Sequence, residues 1–364
     1  MKIAVIHPNI MAAGGAEVTG LMVIDFFQRR SPTNKIEFIT DNAVDFNALN
    51  EKFSTSIDQG KIRIIRPYLC RLIGKLEPRI HLFAKLQLTL LTRYVRKHKD
   101  EYGLVISTKQ EADFGKPGIQ FLHHEPDGYH IGKAYLWVLR KLGRKKENIG
   151  KNITISPSKY IKMMYDGLYG SDRSIVIYPA IRKCPEDVPW DKRENGFVMV
   201  GHIDEMKGTD RAIELMDMLR NATGADLHLH IVGTGKGRYF EKVKKMVDER
   251  SFVSLEGFVT TERYFKILTT HKYGIHMREN EPSAVTVREL VDCGEIVFAH
   301  NSGGTSEILN YNARLLFGGT GQALTNMMTV LLQKELQKEI LMELRTIKFN
   351  TRADWEKEFT MITF

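Results

Sequence analysis

The chain has 364 residues, 43% of them apolar, which is too long for one ordinary core and enough for two. Its formal net charge of +9 and pI near 9.2 favour anionic partners. The three cysteines, Cys70, Cys184 and Cys293, are odd in number and form no C-x-x-C pair, so they argue against a disulfide framework or cysteine zinc site and for a reducing cytoplasm.

The opening MKIAVIHPNIMAAGG carries an apolar run broken by His7-Pro8, too short for a signal peptide or a spanning helix, and no later stretch reaches membrane-spanning length. Short apolar runs then alternate with longer periodic segments, the pattern of parallel sheets covered by helices. Strands are predicted at KIAVI, KIEFIT, IRIIR, GLVIS, GIQFL, NITIS and SIVIY. Between the first two, Gly14-Gly15-Ala16-Glu17 feeds a helix through about Arg30; such a turn can receive an anion or simply be tight. Residues 61–99 carry eleven lysines and arginines against a single acid, with leucines and aromatics interleaved, and residues 132–152 are similarly basic. Such segments can lie on an anionic membrane or form a solvated helix face. No nucleic-acid-binding module is visible, so nucleic acid is not expected as a partner.

After GIQFL comes His123-His124-Glu125-Pro126-Asp127, at the carboxyl end of a strand, where ligands of open α/β sheets collect. The histidine pair lacks further ligands at metal-site spacing, and no metal is expected there. Ser156-Pro157-Ser158-Lys159 reads as a helix start with a capping serine and proline at the first position. Residues 179–195, rich in proline and charge, read as a linker.

The α/β rhythm restarts with GFVMVG, followed by His202 and Lys207-Gly208. LHLHIVGTGKG then ends in Gly233, Gly235 and Gly237. Its G-x-G-x-G spacing in mid-chain is a poor dinucleotide fingerprint, so a nicotinamide oxidoreductase is a weak alternative. FVSLEGFV brings Val259, and YGIHM leads into MRENEPSAVTVRELVDCGEIVFAHNSGG. There Glu281 follows a strand, and seven residues further on Glu289 sits in a helix that begins at a capping Ser283 and stops at Gly294. Strand, turn and helix place both carboxylates near one helix start, whose amides from Ala284 through Val285 to Thr286 form an anion site with the helix dipole. Carboxylates suit sugar and ribose hydroxyls and N–H donors suit a pyrophosphate; a nucleotide sugar has both. The remaining chain reads as a strand near ARLLF, one helix over about 320–345, and an amphipathic end around Trp355.

The run EPSAVTVRE followed by CGEIVFAHNSGGTSEI resembles the donor-site signature of retaining GT-B glycosyltransferases of family 4, EGFGLxxLEAMACGxPVVAxxxGGxxE. The chain departs from it in having Pro282-Ser283-Ala284 where the family prefers Gly-Phe-Gly, and His202 where VGRxxxxKG has arginine. A histidine carries only part of a charge at neutral pH, which shifts the expected phosphate grip toward Lys207, with Arg278 or Arg211 as further cations. The resemblance covers almost the whole chain. It implies two Rossmann-like α/β/α domains facing across a cleft: residues 1–180 on the acceptor side, a linker at 181–195, a donor domain at 196–349, and a helix at 350–364 crossing back. It implies transfer of a sugar from a nucleoside diphosphate donor to a glycan or lipid-linked hydroxyl with retention of configuration. No metal or other cofactor is implied. His123 and Glu281 would act at the sugar, Glu289 would hold the ribose, and Gly15, His202, Lys207, Gly233, Val259, Ser283, Ala284, Val285 and Thr286 would line the donor site. A cytoplasmic protein follows, with peripheral attachment to the membrane as a further option. Alternatives are a non-catalytic nucleotide-sugar or glycan-binding protein and a GT-B sugar-nucleotide epimerase.

Overall fold

A computed structural model describes residues 1–12, 14–31, 33–53, 55–74 and 82–363. The part of the first basic stretch at 75–81 lies outside the described residues. The chain divides into two compact units, Met1–Ile177 and Tyr178–Phe364.

The first unit is built on seven parallel strands: β1 (Lys2–Ile6), β2 (Lys35–Ile39), β3 (Ile62–Ile65), β4 (Leu104–Ser107), β5 (Ile119–Phe121), β6 (Ile153–Ser156) and β7 (Ser174–Val176). Their order in the sheet is β3-β2-β1-β4-β5-β6-β7. The second unit holds β8 (Glu194–Val200), β9 (His228–Val232), β10 (Val253–Gly257), β11 (His271–His276), β12 (Ile296–His300) and β13 (Leu316–Phe317), in the order β10-β9-β8-β11-β12-β13. Every run predicted as a strand is one, because strands covered on both faces are continuously apolar: Ile3, Ala4, Val5 and Ile6 of β1 are fully buried, as are Phe197, Val198, Val297 and Phe298 in the second sheet. Each unit closes its own apolar clusters, around Leu91, Val95 and Phe114 in the first and around Phe197, Leu229, Leu290 and Phe298 in the second. Both sheets are doubly wound, with the chain reversing direction at β1/β4 and at β8/β11. A ligand of such a sheet lies at the carboxyl ends of those strands.

Three local expectations are corrected. Ser158, not Ser156, caps the helix Lys159–Tyr169, its hydroxyl accepting from the Ile161 amide, so Pro157 precedes the cap instead of opening the helix. The stretch 320–345 forms two helices, Thr320–Leu332 and Lys334–Arg345, because Gln333 adopts an extended backbone between them. Ser283 does not cap the helix Val285–Asp292; Ala284 does, in a left-handed conformation with φ 40°.

The segment read as a linker runs along the second unit. The Ile181 amide donates to the Asn350 carbonyl at 2.9 Å, and the Cys184 amide to Asp292 at 2.9 Å. The terminal helix Arg352–Thr363 buries Trp355, stacked on Phe359 with ring centroids 4.9 Å apart.

Candidate functional site

The loop after β11 carries Glu281 and is shaped by the turn after β12. Gly303 has φ 64°, and a Cβ there would lie 2.6 Å from the Glu281 carbonyl oxygen, so only glycine allows this approach. The Gly304 amide donates to that carbonyl at 2.7 Å, and the Asn280 amide to Ser302 Oγ at 2.7 Å. The glycine pair thereby fixes the backbone that carries Glu281.

That carboxylate faces two cations and a histidine. Lys207 Nζ lies 2.6 Å from Glu281 Oε2, His276 Nε2 at 3.4 Å and Arg278 Nε at 3.4 Å. Burial opposes ionisation of Glu281, but His276, Lys207 and Arg278 outweigh it and hold its carboxyl well below the usual range. Burial lowers the fully enclosed His276, although Glu281 pulls the other way. The result is an ionised carboxylate next to a lysine and an arginine at the β8/β11 reversal.

From Ala284 the chain turns into the helix Val285–Asp292. Ala284 is 3% exposed, and its carbonyl accepts from the Val287 and Arg288 amides, so the Val285 and Thr286 N–H groups stand ahead of the helical ladder. Val285 and Thr286 are half-buried, and Ser283 Oγ is enclosed without a hydrogen-bond partner among the described residues. Glu289, 5% exposed, accepts from Tyr264 Oη at 2.5 Å and from Arg182 Nε at 3.1 Å. The Arg182 guanidinium also lies 4.7 Å from the centre of the Tyr264 ring. Glu281 thus precedes the helix start and Glu289 lies in the helix's second turn, each already held by protein partners.

His202 is exposed directly after β8 and Gly201. Gly201 and Gly233 have φ of 150° and 156°, and a Cβ on Gly233 would overlap the Gly201 carbonyl, so the turns after β8 and β9 touch backbone to backbone. Val259 is half-buried and packs on the second core. Arg211 turns toward Glu279 and the Met277 carbonyl, at 3.4 Å each, rather than toward Glu281.

In the first unit the reversal at β1/β4 gathers a second polar group. Gly15 begins the helix Gly15–Arg30, and Glu17 closes its first turn by accepting from the Gly14 amide at 2.8 Å. Glu17 also meets Lys109 Nζ at 2.5 Å and His7 Nε2 at 3.5 Å, while His7 Nδ1 lies 2.8 Å from Thr108 Oγ1. Burial opposes the ionisation of Glu17, yet His7 and Lys109 hold it well below the ordinary carboxylate range. His123 follows β5 with Nε2 3.1 Å from the Thr108 carbonyl, to which it donates. Burial, with His124, Lys109 and His7 nearby, lowers His123 to about 3, so it is a neutral imidazole with Nδ1 as its acceptor.

The two basic segments meet within this unit. Arg93, Arg96, Lys97 and Lys141 line a pocket of about 320 Å³ with Leu142 and Gly143. On the helix Lys133–Lys141 beside it, Trp137 is 59% exposed, with Lys141 Nζ 5.3 Å from its ring centre. No described helix is long and apolar enough to cross a membrane.

Sequence reasoning did not single out His7, Lys109, His276, Arg182 or Tyr264. A histidine at the carboxyl end of a β-strand is a usable signal for His7, which directly follows β1, as His123 comes two residues after the end of β5. Arg182 and Tyr264 had no such signal, since one lies in the presumed linker and the other on a helix.

No curated protein sequence matches the chain. Solved structures match it in fold over its full length. HepE of Anabaena, in complex with UDP and glucose, is 15% identical with a TM-score of 0.70, covering 100% of this chain and 99% of that one. WaaG, a glycosyltransferase involved in lipopolysaccharide biosynthesis, is 14% identical with a TM-score of 0.70 over 100% of both. Sucrose-phosphate synthase from Thermosynechococcus elongatus is 15% identical with a TM-score of 0.67, covering 100% and 98%. The fold is therefore GT-B, and residues 181–345, which hold the Glu281 and Glu289 cluster, match the family model of glycosyl transferases group 1.

Proposed function

We propose that the protein is a glycosyltransferase that moves a sugar from a nucleoside diphosphate donor to an acceptor hydroxyl with retention of configuration. The observation that carries this reading is the Glu281–Lys207–Arg278 cluster beside the opening turn of the helix Val285–Asp292, within the segment that matches the family model. HepE is a fold relative seen with UDP and glucose, and WaaG one described as a glycosyltransferase, which favours a uridine diphosphate sugar.

In this reading the bond from the sugar C1 to the diphosphate oxygen breaks as a bond from C1 to the acceptor oxygen forms on the same face. The acceptor proton leaves with the diphosphate. Charge then builds on the departing diphosphate, where Lys207, Arg278 and the Val285 and Thr286 amides supply donors. Glu281 holds the donor sugar, Glu289 the ribose after Arg182 yields its place, and His123 supplies a neutral imidazole. Within the second unit His202, Gly233 and Val259 complete the donor contacts. The reaction as read needs no metal. The acceptor is a glycan or lipid-linked hydroxyl, and the basic pocket with the exposed Trp137 seats the first unit on an anionic membrane surface.

Incubation of the protein with a panel of UDP- and GDP-sugars, with release of the diphosphate followed, tests the reading. Turnover of at least one donor supports it. Binding of a donor without turnover, with or without added glycan acceptors, replaces it by the non-catalytic alternative.

A further inference from the structure

At the opposite end of the second sheet from Glu281, three histidines converge. His228 and His230 are the first and third residues of β9, hence on one face of the sheet, and His271 opens β11. Strand β8 lies between them, and the residue paired with His228 is Gly196. A Cβ on Gly196 would overlap the His228 ring and lie 2.6 Å from His271 Cδ2. The missing side chain is therefore what lets imidazoles from β9 and β11 meet across β8. Their ring centroids are 5.1, 5.0 and 4.4 Å apart, and one potential ligand nitrogen from each lies within 4.8 Å of the other two.

We propose that His228, His230 and His271 form a binding site for one divalent d-block cation, of which zinc is the natural occupant. Three observations carry this. His228 Nε2, His230 Nδ1 and His271 Nε2 are buried and have no hydrogen-bond partner among the described residues. Three enclosed imidazole nitrogens that make no hydrogen bond are costly to a fold unless something engages them. His271, 2% exposed, has Nδ1 2.7 Å from the Ile267 carbonyl. Donation from Nδ1 fixes the tautomer and leaves the Nε2 lone pair facing the cluster, which is the usual second contact of a metal-bound histidine. Finally, Glu194 Oε2 lies 3.2 Å from His228 Nε2 and 3.7 Å from His271 Nε2. Ligands at about 2.0–2.1 Å from zinc in a tetrahedron stand about 3.3 Å apart, so Glu194 has the spacing of a fourth ligand. Glu256, gripped by Arg263 at 3.0 and 3.1 Å, lies 3.3 Å from His230 Nδ1.

Imidazole donors select zinc, copper or nickel over calcium or magnesium. Bound there, the ion ties β9 to β11 across β8, a structural closure at the amino ends of strands whose carboxyl ends carry Glu281. The site stands on these contacts alone and does not depend on the sugar-transfer reading.

The test uses the untagged full-length chain, stripped with a chelator and titrated with zinc alone by calorimetry at pH 7.5. One zinc ion per chain and a melting temperature that rises with zinc are expected. His228→Gln and His230→Gln, both at half-buried positions, should lose that single site while keeping the far-UV dichroism of the parent, and Glu194→Gln should weaken it by about tenfold. Zinc binding by both histidine variants equal to that of the parent, or no stoichiometric binding by the parent, overturns the proposal. Cobalt in place of zinc gives a readout should a variant fail to fold. Intense four-coordinate visible bands in the parent support the site, and only the weak bands of six-coordinate cobalt count against it.

Discussion

Lys207 Nζ and Glu281 Oε2, 74 positions apart in the chain, form a 2.6 Å ion pair with side chains only 16% and 12% exposed. The pair joins the loop after β8 to the loop after β11 at the point where the second sheet reverses direction.

Removing either anchor of the proposed donor site should weaken nucleotide-sugar binding. Lys207→Ala and Glu289→Ala each delete one charge-assisted contact, a loss of roughly 1.5–3 kcal/mol. Calorimetry with the donor that turns over measures it. Undiminished affinity in both variants removes the donor-site assignment.

His202 is exposed where the resembling family has arginine. If it faces the donor diphosphate, His202→Arg should tighten donor binding at pH 7.5 by supplying a full charge, and His202→Ala should loosen it. Equal affinities across the three proteins would place the phosphates elsewhere.

Ala284 holds a left-handed backbone, φ 40° and ψ 55°, which costs an L-residue about 1–2 kcal/mol. Ala284→Gly relieves that strain, offset in part by the greater freedom of glycine in the unfolded chain, for a net gain of about 0.5–1 kcal/mol. Denaturant unfolding should show a higher midpoint. A lower one means that the Ala284 methyl contributes more by packing than its backbone costs.

Glu295 is fully buried with neither carboxyl oxygen hydrogen-bonded among the described residues, and burial raises its pKa well above the ordinary value despite the nearby Arg193. A carboxyl raised in the folded state binds its proton more tightly there than in the unfolded chain. Its favourable contribution is complete below the unfolded pKa of about 4.3 and is lost as pH rises from there toward the folded value. Glu295→Gln keeps the shape without the charge, so it should melt above the parent at pH 8, with the gap closing toward pH 4.5. A gap independent of pH would mean that Glu295 does not titrate in this way.

The basic pocket yields a salt-dependent prediction. Binding to vesicles containing acidic phospholipid should fall as ionic strength rises through the physiological range, and Arg93→Glu with Lys141→Glu should abolish it. Equal sedimentation with neutral and acidic vesicles at low salt would leave these side chains as a solvated face.

Much of the architecture was legible in the amino-acid order because its cause is local. Strands buried on both faces must be continuously apolar, so KIAVI and GFVMV announce themselves. The Gly303-Gly304 pair likewise signals a turn where a side chain cannot fit. Local cues failed where two neighbouring residues could serve the same role. Ser156 and Ser158 both suit a helix cap, and Ser283 looked the better cap than Ala284. A left-handed alanine is intrinsically unfavourable, so the local sequence does not announce it; Ala284 adopts it where it is buried in the core of the second unit.

What tertiary structure alone decided is which distant side chains share a carboxyl or a cavity. Glu281 and Glu289 were visible as a spaced pair, but that one is held by Lys207, His276 and Arg278 and the other by Tyr264 and Arg182 follows from strand order. The His228-x-His230 pair drew no reading from the sequence and gains meaning only with His271. Placing β8 between β9 and β11, with glycine at position 196, is what brings the third imidazole across, since a parallel sheet sets as neighbours residues that the chain keeps far apart.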